Sequence, residues 1–264
     1  LVIDNGISKD LCHRMFPESK SLIRVVEPRR TVQSISNEDA VEWVSSPETE
    51  HRAFASLCRE LMCSRIEKCL ADALWASSVD NYPEEGLKHT LFPNDKINYR
   101  PSYWSSTGKS NPATSESLIY RLTSRLCLVS EVYVHPFEAY FQSGAPLYSS
   151  ERVRFHLGYW KDPESYGDDD ESPSSFTEES FVWTYSSPEF QMARVNRLQK
   201  FELPKPVFCI GGILKVELIG RVQTQQMDGL YYICVTHVQV VGTRISPHFD
   251  VEAADGNGKF TLKY

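Results

Sequence analysis

Arg152-Val153-Arg154-Phe155-His156-Leu157-Gly158-Tyr159 sets Val153, Phe155, Leu157 and Tyr159 against Arg152, Arg154 and His156 at every second position. A repeat of two sends alternate side chains to opposite faces of a pleated strand, so this segment predicts a strand with one face in a core and one in water. The same reading extends on both sides. Leu118, Tyr120 and Leu122 alternate with Ile119, Arg121 and Thr123, and Leu214, Val216 and Leu218 alternate with Lys215 and Glu217. Phe181, Trp183 and Tyr185 repeat the pattern, and Leu126 and Leu128 are predicted to share a face with Val132 and Val134. No strong helical stretch separates these segments. That argues against crossover units and predicts antiparallel sheets in a sandwich or barrel. Met227-Asp228-Gly229-Leu230 adds a hairpin signal, because Asp-Gly tolerates the positive φ of a tight turn.

Upstream of about Asn98 the period changes. Ser36-Asn37-Glu38-Asp39 has the form of a helix start, with Ser36 as cap and an acidic residue three positions on. After Pro47 a second helix is expected from about Glu48. Phe54, Leu57, Cys58, Leu61, Met62, Ile66, Cys69, Leu70 and Ala73 recur at steps of three and four, which builds one apolar stripe. Two insertions break the downstream strand rhythm. Phe137 to Ser150 reads as an aromatic loop. Asp162 to Glu179, with Asp168, Asp169, Asp170 and Glu171 among prolines and serines, reads as an acidic, turn-rich one.

The 264 residues carry 28 Lys and Arg against 35 Asp and Glu, a formal charge of −7. That balance argues against a nucleic-acid groove, whose affinity comes from clustered basic residues on phosphates. No apolar run approaches the roughly 20 residues of a membrane helix, so no membrane partner is expected. The seven cysteines are scattered, and Cys58, Cys63 and Cys69 have no second ligand cluster at zinc-finger spacing. Packed free thiols in a reducing compartment are the expectation, which means cytoplasm and/or nucleus. Leu1 is read as following a missing N-terminal portion, so targeting signals upstream of it stay open.

The motif search for chemistry comes back empty. There is no phosphate loop, nucleophile elbow or His-Glu-x-x-His pair. His248 and Asp250 are neighbours in sequence, which is not triad geometry. His156 and His237 read as surface or hydrogen-bonded structural histidines. The acidic run lacks the spaced oxygen ligands and glycine of a calcium hand. No catalytic residue, metal or cofactor is expected, and a hydrolase would need a carboxylate pair or triad that the sequence does not supply.

Asn98-Tyr99-Arg100-Pro101-Ser102-Tyr103-Trp104-Ser105-Ser106, the alternating Leu118 to Leu122, and Cys127-Leu128-Val129-Ser130-Glu131-Val132-Tyr133-Val134 together resemble the opening of discoidin-like, galactose-binding-like jelly rolls. The resemblance runs from about Asn98 to Val251. Trp104 is read as a plug over one end of the sandwich, with Ser105 and Ser106 satisfying turn backbone groups; contact with a ligand is the other reading of Trp104.

Leu1-Val2-Ile3-Asp4-Asn5-Gly6-Ile7-Ser8-Lys9-Asp10-Leu11-Cys12-His13-Arg14-Met15-Phe16-Pro17-Glu18 is similar to the last stretch of an F-box in a plant F-box protein family. The connector, Val207-Phe208-Cys209-Ile210-Gly211-Gly212 and Ile213 to Gln223 resemble the rest of that family. The resemblance implies an α+β chain: an F-box remnant and linker over 1–35, a helical connector over 36–96, an antiparallel jelly-roll sandwich over 97–251, and a tail over 252–264. It implies a substrate receptor of an SCF-type cullin ubiquitin ligase, in which a Skp-type adaptor meets the F-box and the sandwich loops bind an unknown target protein. Leu1, Val2 and Ile3 are the candidate adaptor contacts. The front of the F-box is expected to be missing, which would weaken adaptor binding. Tyr140, Phe141, Trp160 and Tyr166 are candidate target contacts, and each has a second reading as a buried loop anchor. The alternative function is a carbohydrate-binding module without a ligase role.

Overall fold

The computed structural model describes residues 6–26, 47–63, 65–161, 177–245, 249–253 and 259–264. In chain order, α1 spans Ile7–Met15, β1 Leu22–Val26, α2 Pro47–Cys63, β2 Ile66–Lys68 and β3 Leu70–Ala76. Then come β4 Glu116–Leu122, β5 Leu126–Glu138, β6 Ser150–Trp160, β7 Phe181–Ser186, β8 Gln199–Ile210 and β9 Ile213–Arg221. β10 Cys234–Arg244, β11 Asp250–Ala253 and β12 Phe260–Lys263 close the chain. The chain is α+β, a short helical region on an antiparallel jelly-roll sandwich.

One sheet of the sandwich runs β7-β6-β9-β4-β3, with Phe190–Gln191 beside β6. The other runs β8-β5-β10-β2, with Trp104–Ser105 against β10 and Leu147–Tyr148 against β5. Every pairing within these two sheets is antiparallel. The alternation read from sequence builds the core between them: Leu118, Tyr120, Val153, Phe155, Leu157, Leu214, Val216 and Leu218 all point inward and are buried. The outward set of β6 and β9 is charged, with Arg152 and Arg154 both paired to Glu189, and Arg154 3.5 Å from Glu217.

Three expectations change. The helical stripe expected through Ala73 ends with α2 at Cys63, and the connector expected over 36–96 is helical, among the described residues, only in α2 and in a short 3-10 turn at Leu87–Leu91. Steps of three and four through Ile66, Cys69, Leu70 and Ala73 do not exclude a strand, and here two open sheet edges take the backbone. The Cys69 N–H donates to Val240 of one sheet while its carbonyl accepts from Thr123 beside the other, so the chain changes sheets at that residue. The sandwich therefore begins at Ile66 rather than 97. The tail expected over 252–264 is also structured: β12 lies between β1 and β11, with Phe260 and Leu262 buried. Ser36 and the acidic run 168–171 lie outside the described residues.

The third change is a matter of phase. Leu126 and Leu128 do not share a face with Val132 and Val134. In β5, Val241 of β10 pairs with Glu131 while its neighbour Gly242 pairs with Val129, leaving Ser130 as an extra residue. Such a bulge flips the alternation. Cys127, Val129, Val132 and Val134 therefore face the sandwich core, and Leu126 and Leu128 face a second core. There Phe54, Leu57, Cys58 and Leu61 of α2 meet Cys12 of α1, Leu22 of β1, Phe208 and Ile210 of β8, and Phe260 and Leu262 of β12. The apolar face of α2 has its partner in the sandwich itself.

Candidate functional site

β5, at about 3.3 Å per residue, carries the chain from the second core near Leu126 to the opposite end of the sandwich near Glu138. A small cavity of about 40 Å³ opens there. Its wall is aromatic. Tyr103, just ahead of Trp104, stacks on Phe137 with ring centres 3.9 Å apart and planes 11° from parallel. Phe141 stands 6.2 Å from Phe137 and 5.5 Å from Tyr140, the last in an edge-on contact. Across the cavity Tyr148 meets Tyr232 edge-on at 6.3 Å. Gly108 lies close behind this wall, where a Cβ would stand 2.6 Å from the Tyr232 hydroxyl and push that ring out of place.

The polar groups are acceptors and amides. The Tyr103 hydroxyl donates to Glu85 Oε1 at 2.6 Å, that of Tyr148 to Gln142 Oε1 at 2.7 Å, and that of Tyr232 to Asp228 Oδ2 at 2.7 Å. Asp80 completes the acidic side. Burial pushes the Glu85 carboxyl up, with Asp80 and Glu84 adding to the rise and the Tyr103 hydroxyl opposing it. Burial and then Asp228 push Asp80 up as well. Burial also pushes the Cys234 thiol up to about 12, so it stays protonated, donating to Ser105 Oγ. The Ser105 hydroxyl in turn donates to the carbonyl of Ser106. No histidine is among the described residues that line the cavity. The arrangement offers rings, carboxylates and amides to a ligand.

A buried brace holds these loops from behind. Arg221 donates to Ser106 Oγ and to the carbonyls of Thr107 and Tyr231, each at 2.9 Å, to Thr114 Oγ1, and to the Glu116 carboxylate. Glu116 also accepts from Ser77 and Ser78. Trp104 is fully buried and its indole N–H donates to the Ser78 carbonyl at 3.0 Å. The plug reading of Trp104 therefore holds. Ser106 serves the turn as expected, accepting from the Ile233 N–H and donating to the Thr107 carbonyl. The hairpin read at Asp228-Gly229 is present, with Gln223–Thr224 paired to Tyr231–Tyr232 and Gly229 at φ 71°.

No family model matches the chain. A curated relative, F-box protein At4g00755 from Arabidopsis thaliana, is 49% identical over 270 residues, which is 99% of this chain and 72% of the relative. The chain belongs to the F-box protein family. Solved structures similar to it include a CBM32-3 module from a family 31 glycoside hydrolase of Clostridium perfringens, with TM-score 0.42, 9% identity, and 65% of this chain and 90% of that one covered. An F5/8 type C domain from Bacteroides fragilis has TM-score 0.40 and 11% identity over 70% and 94% of the two chains. At these scores the likeness bears on no ligand.

In this F-box protein the residues proposed from sequence do not form one site. Tyr140 and Phe141 lie at the cleft, 37% and 52% exposed. Trp160 is at the other end of the molecule, half-buried on the outer face of the β6–β7 sheet, 5.1 Å from Phe181. Ile119, read as outward-facing, is fully buried beneath the same cluster beside Trp75. Leu1, Val2, Ile3, Tyr166 and His248 lie outside the described residues. His156 is a hydrogen-bonded structural residue, with Ser186 Oγ at 2.7 Å and Glu217 Oε2 at 3.0 Å. Asp80, Glu85, Tyr103, Tyr148 and Tyr232 were not singled out for the site. Tyr103 carries a signal in its place beside Trp-Ser-Ser, and Tyr148 in its place within the aromatic stretch Phe137 to Ser150. No described helix is long and apolar enough to cross a membrane. Among the described residues no three His, Cys, Asp or Glu side chains gather as a metal site.

Proposed function

We propose that the chain is the substrate-recognition subunit of an SCF-type cullin ubiquitin ligase, working in the cytoplasm and/or nucleus. Its N-terminal side joins a Skp-type adaptor and the cullin core, and the loop end of the sandwich holds a target protein. The ligation chemistry then belongs to the partners, and the chain binds without catalysing. Neither nucleic acid nor membrane is a partner in this reading. The observation that carries it is the polarity of the molecule. The helices lie at one end and the aromatic, acidic cleft at the other, so an adaptor and a target can be held at once without competing for surface.

A second reading, a carbohydrate-binding module without a ligase role, draws on the rings of Tyr103, Phe141 and Tyr148 beside Glu85 and Gln142. Co-expression of the whole protein with a Skp-type adaptor, followed by gel filtration, separates the two. Joint elution is expected. Separate elution together with saturable binding on a glycan array would replace the first reading by the second.

A further inference from the structure

The cleft holds charge that the chain itself leaves unrelieved. Among the described residues Asp80 and Glu85, which line the cavity, make no ion pair, and neither does Asp228 behind Tyr232, in a molecule where Arg152, Arg154, Lys200, Lys215 and Arg221 are all matched to acids. The donors that do reach Glu85 and Asp228 are neutral: two tyrosine hydroxyls and the Leu230 N–H. Burial raises the pKa values of Asp80 and Glu85, and repulsion from Asp228 on the first and from Asp80 and Glu84 on the second adds to the rise; an ammonium set between the acids relieves that repulsion.

The rings point to the same ligand. Aromatic faces attract cations. The chain already uses this attraction on the rim of the cleft, where Lys96 Nζ sits 3.9 Å over the ring of Tyr140, itself edge-on to Phe141. A cavity of about 40 Å³ has room for a compact head group a few water molecules in size. Glu85 has one oxygen occupied by Tyr103, which leaves a single-point acceptor. That suits the point charge of an ammonium better than the two-pronged fork of a guanidinium.

We propose that the cleft takes a lysine side chain of the target protein, its ammonium beside Glu85 and Asp80 and its methylene stem along Phe141. The proposal rests on the reading of this end as the target-binding end. The probes are acetyl-Gly-Gly-Lys-Gly-Gly-amide and its norleucine, acetyl-lysine and arginine counterparts, with a glucosamine disaccharide as a non-protein ammonium, titrated into the protein and followed by NMR. The lysine peptide should bind at least tenfold more tightly than any of the others. Its affinity should fall about tenfold in Glu85→Gln at unchanged melting temperature, and fall again with added salt. Equal binding of the norleucine peptide, tighter binding of the disaccharide, or no saturable binding would overturn it. Capture of the target by the assembled ligase, with and without Phe141→Ala, tells the two failures apart. Capture that depends on Phe141 without lysine-peptide binding removes the lysine and keeps the target end. Capture indifferent to Phe141 removes both.

Discussion

Arg221 and Glu116 are 4% and 3% exposed, and the guanidinium ties both ends of the 106–115 connection to Tyr231 behind the cleft. Removing one member of a buried pair leaves the other charge without compensation, a cost of about 3–5 kcal/mol. Arg221→Ala should lose that much in urea denaturation, while Arg221→Met combined with Glu116→Leu should recover part of it, since no lone charge remains. Two histidines make stability depend on pH. The His237 Nδ1 lies 2.8 Å from the Thr90 carbonyl and so must donate, while its buried Nε2 has no partner among the described residues. Burial lowers its pKa, and burial lowers that of His156 against the opposing pull of Glu217. Both fold as neutral rings. Their contribution is complete above the unfolded value of about 6.5 and is lost as pH falls through the lower folded values. Asp80 and Glu85, whose pKa values are raised, act in the opposite sense, gaining as acid protonates them, though nearer the carboxylate range. The melting temperature should therefore decline as pH drops from 7 toward 5.5, and His237→Gln should flatten that decline.

Among the elements, α2 has the most at stake. Phe54 and Leu57 are fully buried against strands from both the sandwich and the small β1-β12-β11 sheet. Leu57→Ala should cost about 2–5 kcal/mol. Helix and sandwich should also melt in one transition, with far-ultraviolet dichroism and tryptophan fluorescence coinciding; a sandwich that survives digestion of the helix would contradict this. The sequence made the strands legible because a half-buried strand leaves a period of two, and β6, β7 and β9 each show it, while in β4 the outward Ile119 is buried as well. It made α2 legible through its stripe. What it could not show was where tertiary pairing takes over. Ile66 to Ala73 carries apolar residues at helical spacing, yet the exposed edges of β4 and β10 capture its backbone. The one-residue bulge at Ser130 has no local signature, because every neighbour remains a good strand former.

At the scale of the molecule the cleft stands apart from the helices, and its rim is open. Tyr140→Ala with Phe141→Ala should shift the melting temperature by no more than a degree or two, given how much of both rings is already in water, and should abolish target capture; unchanged capture would end the reading of this rim. The rim was legible as an aromatic loop. The floor was not, because the connection that carries Asp80 and Glu85 meets Tyr103, Tyr148 and Tyr232 only through the sandwich topology. The pairing of β1 with β12 is parallel, Leu22 beside Phe260 and Val26 beside Lys263, so nearly the first and nearly the last described residues zip together. During synthesis this contact must wait. While Phe260 is still inside the ribosome, Leu22 has no strand to pair with, and Cys12 and Phe54 lack one wall of their core. Loop closure over that length adds little free energy but comes late. A chain arrested before Phe260 should carry a protected sandwich and a protease-sensitive N-terminal layer, and emergence of Phe260 to Lys263 should convert that layer into a protected one.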